Sequence, residues 1–367
     1  MTARALLALV LLLPLSAVAS GRIVEAGPKG GQPDLDREFD YKRLAWHPID
    51  VESYLEGWNF VFRFESGHVV FGNLVVTNVG WGDNINGTNL TICMPDGTFH
   101  HGTTENEECK LTASRKRFAI RTADSVLSGD ASGWMLTAVT PDLRALIEVE
   151  PTVPGFNWGT GAMYFDEERE DFMVRDYAYP RGQAHGTLVV KGQRIAVKGE
   201  GYLDHGVQNI LASDFSRRWN LVRGFGDRYT VTLGGFEAKN KYGGRPLYHM
   251  TVFDGSKPIW RTNKVRVYPK KTKASKESGY APPWELELEA EGYGGKLYGK
   301  VTATRVVDSQ SVLGSLSAGL RFVVETFVAK PWFHRFDSET SLTLELDGQE
   351  PISIIGPAIY EVMFVDE

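Results

Sequence analysis

The chain has 367 residues, of which 42% are hydrophobic and 23% charged, a globular composition large enough for more than one core. Its formal net charge is −6, and 40 lysine and arginine residues are interspersed with 46 acidic ones. This balance lacks the basic surplus of a nucleic-acid-binding protein, so we expect no nucleic acid among its partners.

The first twenty residues have the pattern of a signal peptide. Arg4 precedes an apolar run from Ala5 to Leu15, and the small residues Ala17 and Ala19 follow. The apolar run is shorter than the roughly 20 residues that a membrane-spanning helix needs. We therefore predict that residues 1–19 are cleaved near Ala19, that the protein is secreted or periplasmic, and that residues 20–44 form a flexible lead.

Alternation of apolar and polar residues dominates the rest of the chain. It predicts strands over Asn59–Phe64, Trp284–Ala290 and Ser341–Leu346. Helical spacing is convincing only at Val207–Phe215 and weak at Val312–Leu320, and no strand–helix–strand repeat occurs. The sequence thus predicts an all-β protein, built as a sandwich or barrel.

Local features predict connections and modifications. Gly192-Gln193 interrupts a β-branched run and predicts a two-residue hairpin. In an oxidising compartment Cys93 and Cys109 would pair as a disulfide, and the alternative is two separate thiols. Asn86 and Asn89 begin N-glycosylation sequons, which matter only in a eukaryotic host.

The segment Gly199–Gly206 divides the chain. We place a first domain at residues 45–206 and a second at 207–367, joined by the short helical connector, with a long loop at Lys264–Pro283 in the second. On a strand ending here, Tyr202 and Asp204 share a face. In an apolar cavity Asp204 would have a raised pKa and act as a general acid, with Tyr202 and His205 beside it. The alternative is a structural hydrogen-bonded group.

Aromatic residues suggest a ligand cavity. Trp58, Phe60 and Phe62 alternate along one predicted strand, and Trp219 opens the second domain. Together with Tyr202 they would line a site for a lipophilic molecule, although ordinary core packing explains the pattern equally well and is the better explanation for any single Trp or Phe.

Two polar clusters carry weaker predictions. A metal site formed by His100 and His101 with the nearby Glu105, Glu107 and Glu108 is one interpretation, but adjacent histidines point in different directions, so we interpret the stretch as an exposed loop. Signatures of hydrolases, nucleotide-binding proteins and zinc sites are missing, and we expect no cofactor and no metal. A basic run predicts either a solvated loop or transient contact with a membrane surface. Its residues are Lys264, Arg266, Lys270, Lys271 and Lys273.

The segment Gly199–His205 reads Gly-Glu-Gly-Tyr-Leu-Asp-His and resembles the motif that closes the first half of two-domain lipocalin-like proteins. That superfamily includes carotenoid 1,2-hydratase, AttH-like proteins and fungal Diels-Alderases. Gly206–Asn209, Arg218–Asn220, Phe327–Pro331 and Glu361–Phe364 are similar to a narrower branch, the fungal survival-factor proteins.

The resemblance implies two lipocalin-like antiparallel β-barrels packed side by side around a lipophilic ligand. For the survival-factor branch it implies ceramide binding and transfer between membranes. For the hydratase branch it implies acid-assisted hydration of an isoprenoid, with Tyr202 and Asp204 as the implicated pair. Gly356–Glu361 departs from the hydratase pattern, and the survival-factor proteins are intracellular, whereas the leader of this chain predicts export.

Three functions follow from these observations. The leading prediction is an exported protein that holds or transfers a sphingolipid-like, long-chain or isoprenoid-like molecule in a β-barrel cavity. The second is a cofactor-independent hydratase, isomerase or cyclase that acts on a polyene with Asp204 as the acid. The third is a structural β-protein with both barrels filled by side chains.

Overall fold

The computed structural model describes residues 23–25, 35, 37–80, 82–311 and 331–365. About 66% of the chain is in strands and 4% in helices, so the all-β prediction is confirmed. Within the described residues, no helix is long and apolar enough to cross a membrane. The predicted leader at 1–19 and the weaker helical pattern at 312–320 lie outside the described residues.

The strands form two antiparallel sheets. The first sheet contains β1 (Val24–Glu25), β2 (Leu55–Phe64), β3 (Val69–Thr77), β4 (Ile85–Cys93), β5 (Phe99–Asn106), β6 (Leu111–Ala113), β7 (Ala119–Thr122), β8 (Ser125–Asp130), β9 (Gly133–Val139), β10 (Leu143–Val153), β11 (Ala162–Tyr164), β12 (Phe172–Val190) and β13 (Gln193–Gln208). The second contains β14 (Ser216–Phe225), β15 (Tyr229–Ala238), β16 (Pro246–Asp254), β17 (Lys257–Thr262), β18 (Lys264–Thr272), β19 (Pro283–Gly292), β20 (Gly295–Ser311), β21 (Trp332–Leu346) and β22 (Ile352–Phe364). A four-residue helix, α1 (Ala212–Phe215), and 3-10 turns at Tyr41–Leu44, Glu108–Lys110 and Asn240–Tyr242 complete the described elements.

The first sheet curls into a nearly closed barrel. Its main path runs β5-β4-β3-β2-β13-β12-β10-β9-β8-β7-β6, and β4 comes back into contact with β7 and β9. The second sheet runs β17-β16-β15-β14-β22-β21-β20-β19-β18, and β16 contacts β18 across its open side. The first sheet thus ends at Gln208 and the second begins at Ser216.

Aromatic side chains fill the interior of the first barrel. Trp58, Phe60 and Phe62 alternate along β2, as the period of a strand requires, and each is at most 1% exposed. Phe62 stacks on Trp134 with ring centroids 5.5 Å apart. Phe60 lies so close to Gly72 that a β-carbon there would come within 2.5 Å of its ring. Side chains therefore occupy this part of the barrel.

The predicted hairpin after β12 is confirmed, one residue earlier than expected. Lys191 and Gly192 form the turn with φ values of 50° and 85°, and Val190 pairs with Gln193. Positive φ at both central residues is the conformation that matches the twist of the flanking strands, and glycine adopts it without strain.

Two other expectations about the chain path are wrong. The helix predicted over Val207–Phe215 is only the four residues of α1, because β13 continues to Gln208 and Val207 pairs with Glu56 of β2. The loop predicted at Lys264–Pro283 instead begins with β18, in which Val265 faces the core and pairs with Ala290.

The predicted disulfide is also absent, since Cys93 and Cys109 are both free thiols. The β4–β5 ladder runs from Asn86 opposite Asn106 to Cys93 opposite Phe99. Cys109 follows the Asn106 end, so the two cysteines lie at opposite ends of a hairpin about 24 Å long. A disulfide needs α-carbons within about 7 Å.

The sequon residues lie on β4 rather than on an open loop. Asn86 is 1% exposed, and its amide donates to the carbonyl oxygen of Glu107 at 3.0 Å. The amide of Asn89 donates to Asn73 at 2.7 Å. In the folded chain both amides are already engaged in hydrogen bonds.

Candidate functional site between the two sheets

Strand β13 presents its side chains alternately to two environments. Tyr202 and Asp204 face the second sheet: Tyr202 packs in a buried cluster with Phe225 of β14, and Asp204 lies 3.8 Å from Arg223 of the same strand. Leu203 and His205 point into the first barrel, where Leu203 belongs to the core and His205 stacks on Trp58. The structure thus brings Tyr202 and Asp204 together, as their spacing predicts, and separates His205 from them.

The Asp204 carboxylate is 1% exposed and surrounded by donors. One oxygen accepts from the amide of Asn59 at 2.8 Å, and the other accepts from Arg175 at 2.9 Å and from the Tyr202 hydroxyl at 2.8 Å. The Arg223 guanidinium lies 3.8 Å from the same oxygen and 4.4 Å from the centre of the Tyr202 ring. Every contact favours the ionised carboxylate.

The prediction of a raised pKa at Asp204 is wrong. Burial by itself would raise the pKa of this carboxyl, but the charges of Arg175 and Arg223, with the hydrogen bonds from Asn59 and Tyr202, hold it below its ordinary value. An ionised carboxylate held between two guanidinium groups has no proton to deliver to an alkene, so the geometry does not favour Asp204 as a general acid.

Asp204 is part of a buried row of alternating charges across the interface between the sheets. Arg223 bridges Asp204 and Glu361 at 3.8 Å each, and Arg335 continues the row by pairing with Glu361 and, at 2.6 Å, with Asp308. The row therefore reads Arg175, Asp204, Arg223, Glu361, Arg335 and Asp308. It contains as many positive as negative groups, which is how buried charges are tolerated.

His205 is the centre of a second buried network. Its Nε2 atom lies 2.8 Å from Glu56, and its Nδ1 atom lies 3.2 Å from Asp176. Burial alone would lower the pKa of the imidazole, but hydrogen bonds to the two carboxylates raise it to about 9. Arg43 holds the other oxygen of Asp176 at 2.8 Å, so the segment before β2 is tied to the barrel.

A cavity lies beside the first network, between the two sheets. Its empty volume is about 450 Å³ including the open mouth, and its interior is narrow enough to admit only water-sized molecules. Its apolar wall is formed by Met163, Met173, Trp219, Phe236 and Leu247. Its polar end is formed by Trp158, Arg175, Tyr177 and His249.

Two donors at the polar end are buried without an acceptor among the described residues, the Nε1 atom of Trp158 and the Nε atom of Arg175. Unsatisfied buried donors are rare in folded proteins, because each costs about 1–3 kcal/mol. The apolar wall and these donors together give the cavity an amphipathic lining, which suits a lipid with hydrogen-bond acceptors in its headgroup.

The predicted ligand-binding residues lie in different places. Trp219 lines the cavity, and Tyr202 is buried in the interface near it. Trp58, Phe60 and Phe62 belong to the core of the first barrel and are not among the residues lining the cavity.

The basic run predicted to meet a membrane lies along β18, with Lys273 one residue beyond its end, and the neighbouring strand β19 is acidic. Arg266 pairs with Glu289 at 3.3 Å, and Lys270 pairs with Glu287 at 3.2 Å. Lys271 contacts Glu285 at 2.8 Å. Cross-strand pairing therefore neutralises much of the positive charge. His100 and His101, expected on an exposed loop, lie on β5.

Sequence reasoning missed Glu56, Asp176 and the arginines of both networks. The alternation of β2 contained one signal, since Glu56 interrupts an apolar face as the residue two before Trp58. Arg175 and Arg223 gave no local signal, because their partners come from other strands and from the opposite sheet.

The two antiparallel sheets, with the motif residues at their junction, form a lipocalin-like fold. The AttH structure from Nitrosomonas europaea superposes with a TM-score of 0.63, at 13% identity, over 89% of this chain and 97% of that one. Kievitone hydratase from Nectria haematococca gives a TM-score of 0.59, at 13% identity, over 93% and 97% of the two chains. These likenesses establish the fold alone.

The chain belongs to the Svf1 family, whose model matches residues 31–366. A ceramide-binding protein SVF1 from Eremothecium gossypii is 23% identical over 92% of this chain and 91% of its own length. A second, from Yarrowia lipolytica, is 23% identical over 62% of each chain, so that alignment spans less than two thirds of the relative. The resemblance to the survival-factor branch is thereby confirmed.

Proposed function

We propose that this protein binds a ceramide-like lipid in the cavity between the sheets and transfers it between membranes. The observation that carries the proposal is the amphipathic lining, with Met163, Met173 and Trp219 on one side and Trp158 with Arg175 on the other. Two family relatives are named as ceramide-binding proteins, which supports the same class of ligand.

The charge state of the polar end favours an uncharged headgroup. Asp204 already neutralises Arg175 at 2.9 Å, so the cavity offers donors rather than a free positive charge. A ceramide carries an amide carbonyl and hydroxyl oxygens, which can accept from the Nε1 atom of Trp158. A lipid phosphate would instead bring an extra negative charge into a site that is already balanced, at a considerable desolvation cost.

The cavity must widen to take an acyl chain, because its present free space suits only water-sized molecules. Met163 and Met173 form part of the wall. Methionine side chains are unbranched and repack readily, so their movement provides room without unfolding either sheet.

The test is a binding titration of the full-length protein with a fluorescent ceramide, using two matched tryptophan substitutions. Met163→Trp fills the cavity and should lower affinity at least tenfold. Met135→Trp, on the outer face of β9 where Met135 is 57% exposed, should bind as the wild type does. Equal binding by both variants would place the lipid elsewhere, and no binding by the folded wild type would refute the proposal.

Export is a separate part of the proposal. Residues 1–19 would direct the protein out of the cytoplasm and be removed, leaving Ser20 as the first residue. Amino-terminal sequencing of the protein from its native host tests this, and an intact leader on the mature protein would contradict it.

Contact with a membrane surface would accompany lipid transfer. The basic residues of β18 contribute only weakly to such a contact, because Arg266, Lys270 and Lys271 are ion-paired to β19. A flotation assay with anionic vesicles tests it. Replacing Lys270 by glutamate should change binding little, and a complete loss would show that β18 is the docking surface.

A further inference from the structure

We propose that His47, Glu56 and His205 form a binding site for a divalent transition-metal ion such as Zn²⁺. The three residues come from separate parts of the chain: His47 precedes the first barrel strand, Glu56 is the second residue of β2, and His205 lies near the end of β13. Their ligand atoms all lie within 4.8 Å of one another. The site lies on the opposite face of β13 from the lipid cavity and is independent of it.

The ligand atoms converge on one oxygen of Glu56. The Nε2 atom of His205 lies 2.8 Å from Oε1 of Glu56, and the Nδ1 atom of His47 lies 3.2 Å from the same oxygen. Ligands at about 2.0–2.1 Å in a tetrahedral zinc site are separated from each other by roughly 3.3 Å. The two separations from Glu56 are within about half an ångström of this value, and the two histidine nitrogens, which lie within 4.8 Å of each other, would have to approach by up to about 1.5 Å. Two imidazoles with one carboxylate are ligands that zinc favours.

Second contacts hold these ligands in place. The Nδ1 atom of His205 faces Asp176 at 3.2 Å, and Asp176 is itself held by Arg43. Asp176 holds the proton on Nδ1, an arrangement common around zinc-binding histidines. Zinc binding would release to solvent the proton through which Nε2 donates to Glu56, and Nε2 would then bind the ion. The other oxygen of Glu56 accepts from the Tyr54 hydroxyl at 2.6 Å, which fixes the orientation of the carboxylate.

The proposed metal site is buried on one side and open to solvent on the other. Glu56 and the His205 ring are fully buried, and the ring stacks on Trp58 with centroids 5.2 Å apart. The side chain of His47 is 46% exposed, so an ion can reach the group from solvent. Three protein ligands leave a fourth position for water. A bound ion would clamp the segment that contains His47 onto β2 and β13.

The test is a calorimetric titration of untagged, metal-stripped full-length protein with Zn²⁺. The wild type should bind one ion per chain, and Co²⁺ in its place should give the visible absorption of a tetrahedral site. His47→Ala should weaken zinc binding at least tenfold. Because His47 is half-exposed, this variant should keep the wild-type circular dichroism spectrum.

The matched control is His185→Ala. His185 is also exposed and lies 3.7 Å from a carboxylate of Glu148, but it belongs to no cluster of three metal-ligating side chains among the described residues. This variant should bind Zn²⁺ as the wild type does. Absence of stoichiometric binding by the wild type, or equal affinity of wild type and His47→Ala, would overturn the proposal and leave the cluster as a structural ion pair.

Discussion

Replacing Asp204 by asparagine tests whether this residue is a structural anion. The substitution keeps the size of the side chain but removes its charge from between Arg175 and Arg223. It also puts an amide N–H₂ group where a carboxylate oxygen accepts from Tyr202 or from Asn59. The folded state then contains two buried guanidinium groups with one fewer counter-ion.

The expected cost follows from these contacts. Removing one partner of a buried ion pair destabilises a protein by about 3–5 kcal/mol, because the remaining charge stays buried and uncompensated. In the variant, Glu361 is the acidic side chain that remains beside Arg223, and it is also paired with Arg335. It therefore compensates little of the positive charge that Asp204 neutralises in the wild type. We therefore expect Asp204→Asn to lower the free energy of unfolding by at least about 3 kcal/mol.

Urea denaturation followed by tryptophan fluorescence measures this change. The control is Asp254→Asn, which breaks a pair with the 68% exposed Arg228 on the surface and should leave the urea midpoint close to that of the wild type, because water screens exposed ion pairs. If Asp204→Asn unfolds at the same urea concentration as the wild type, the buried row of charges does not stabilise the fold. Loss of a catalytic activity at unchanged stability would instead favour Asp204 as an enzymatic acid.

Three further expectations concern single residues. Burial lowers the pKa of the His334 imidazole to about 4, so the unfolded chain binds a proton there more readily than the folded chain does. The free energy of unfolding should therefore be unaffected by this residue above about pH 6.5 and should fall towards pH 4 by up to about 1.4 kcal/mol per pH unit. His334→Gln should flatten this part of a pH series of urea midpoints. Cys109 should react with a thiol reagent in the native protein, and the buried Cys93 should react only in urea. If neither cysteine reacts even in urea, the two form the disulfide that the sequence predicts. Tyr202→Phe should cost about 1–2 kcal/mol in the same urea assay, because it removes a buried donor to the charged Asp204, and an unchanged midpoint would show that the hydrogen bond contributes nothing.

The sequence predicted the fold through features that act locally. Strand period two at Asn59–Phe64 and the glycine turn at Gly192 depend only on neighbouring residues, and both were correct in kind. The predicted helix at Val207–Phe215 failed because tertiary pairing of Val207 with β2 outweighed its apparent helical spacing.

The site was only half predictable. Alternation places Tyr202 and Asp204 on one face from sequence alone, but the charge state of Asp204 depends on Arg175 and Arg223, which arrive from β12 and from the opposite sheet. A pattern along one strand contains no information about such partners. The same limit hid the cavity, because Trp158 lies in the connection between β10 and β11, Trp219 lies on β14 of the second sheet, and the two meet only in the folded chain.

Photo-crosslinking with a diazirine-bearing ceramide, followed by peptide mass spectrometry, tests the central claim most directly. Lipid bound between the sheets should label peptides containing Met163, Met173 or Trp219, which form the apolar wall of the cavity. Label confined to the Trp58–Phe62 segment would place the lipid inside the first barrel and contradict the account.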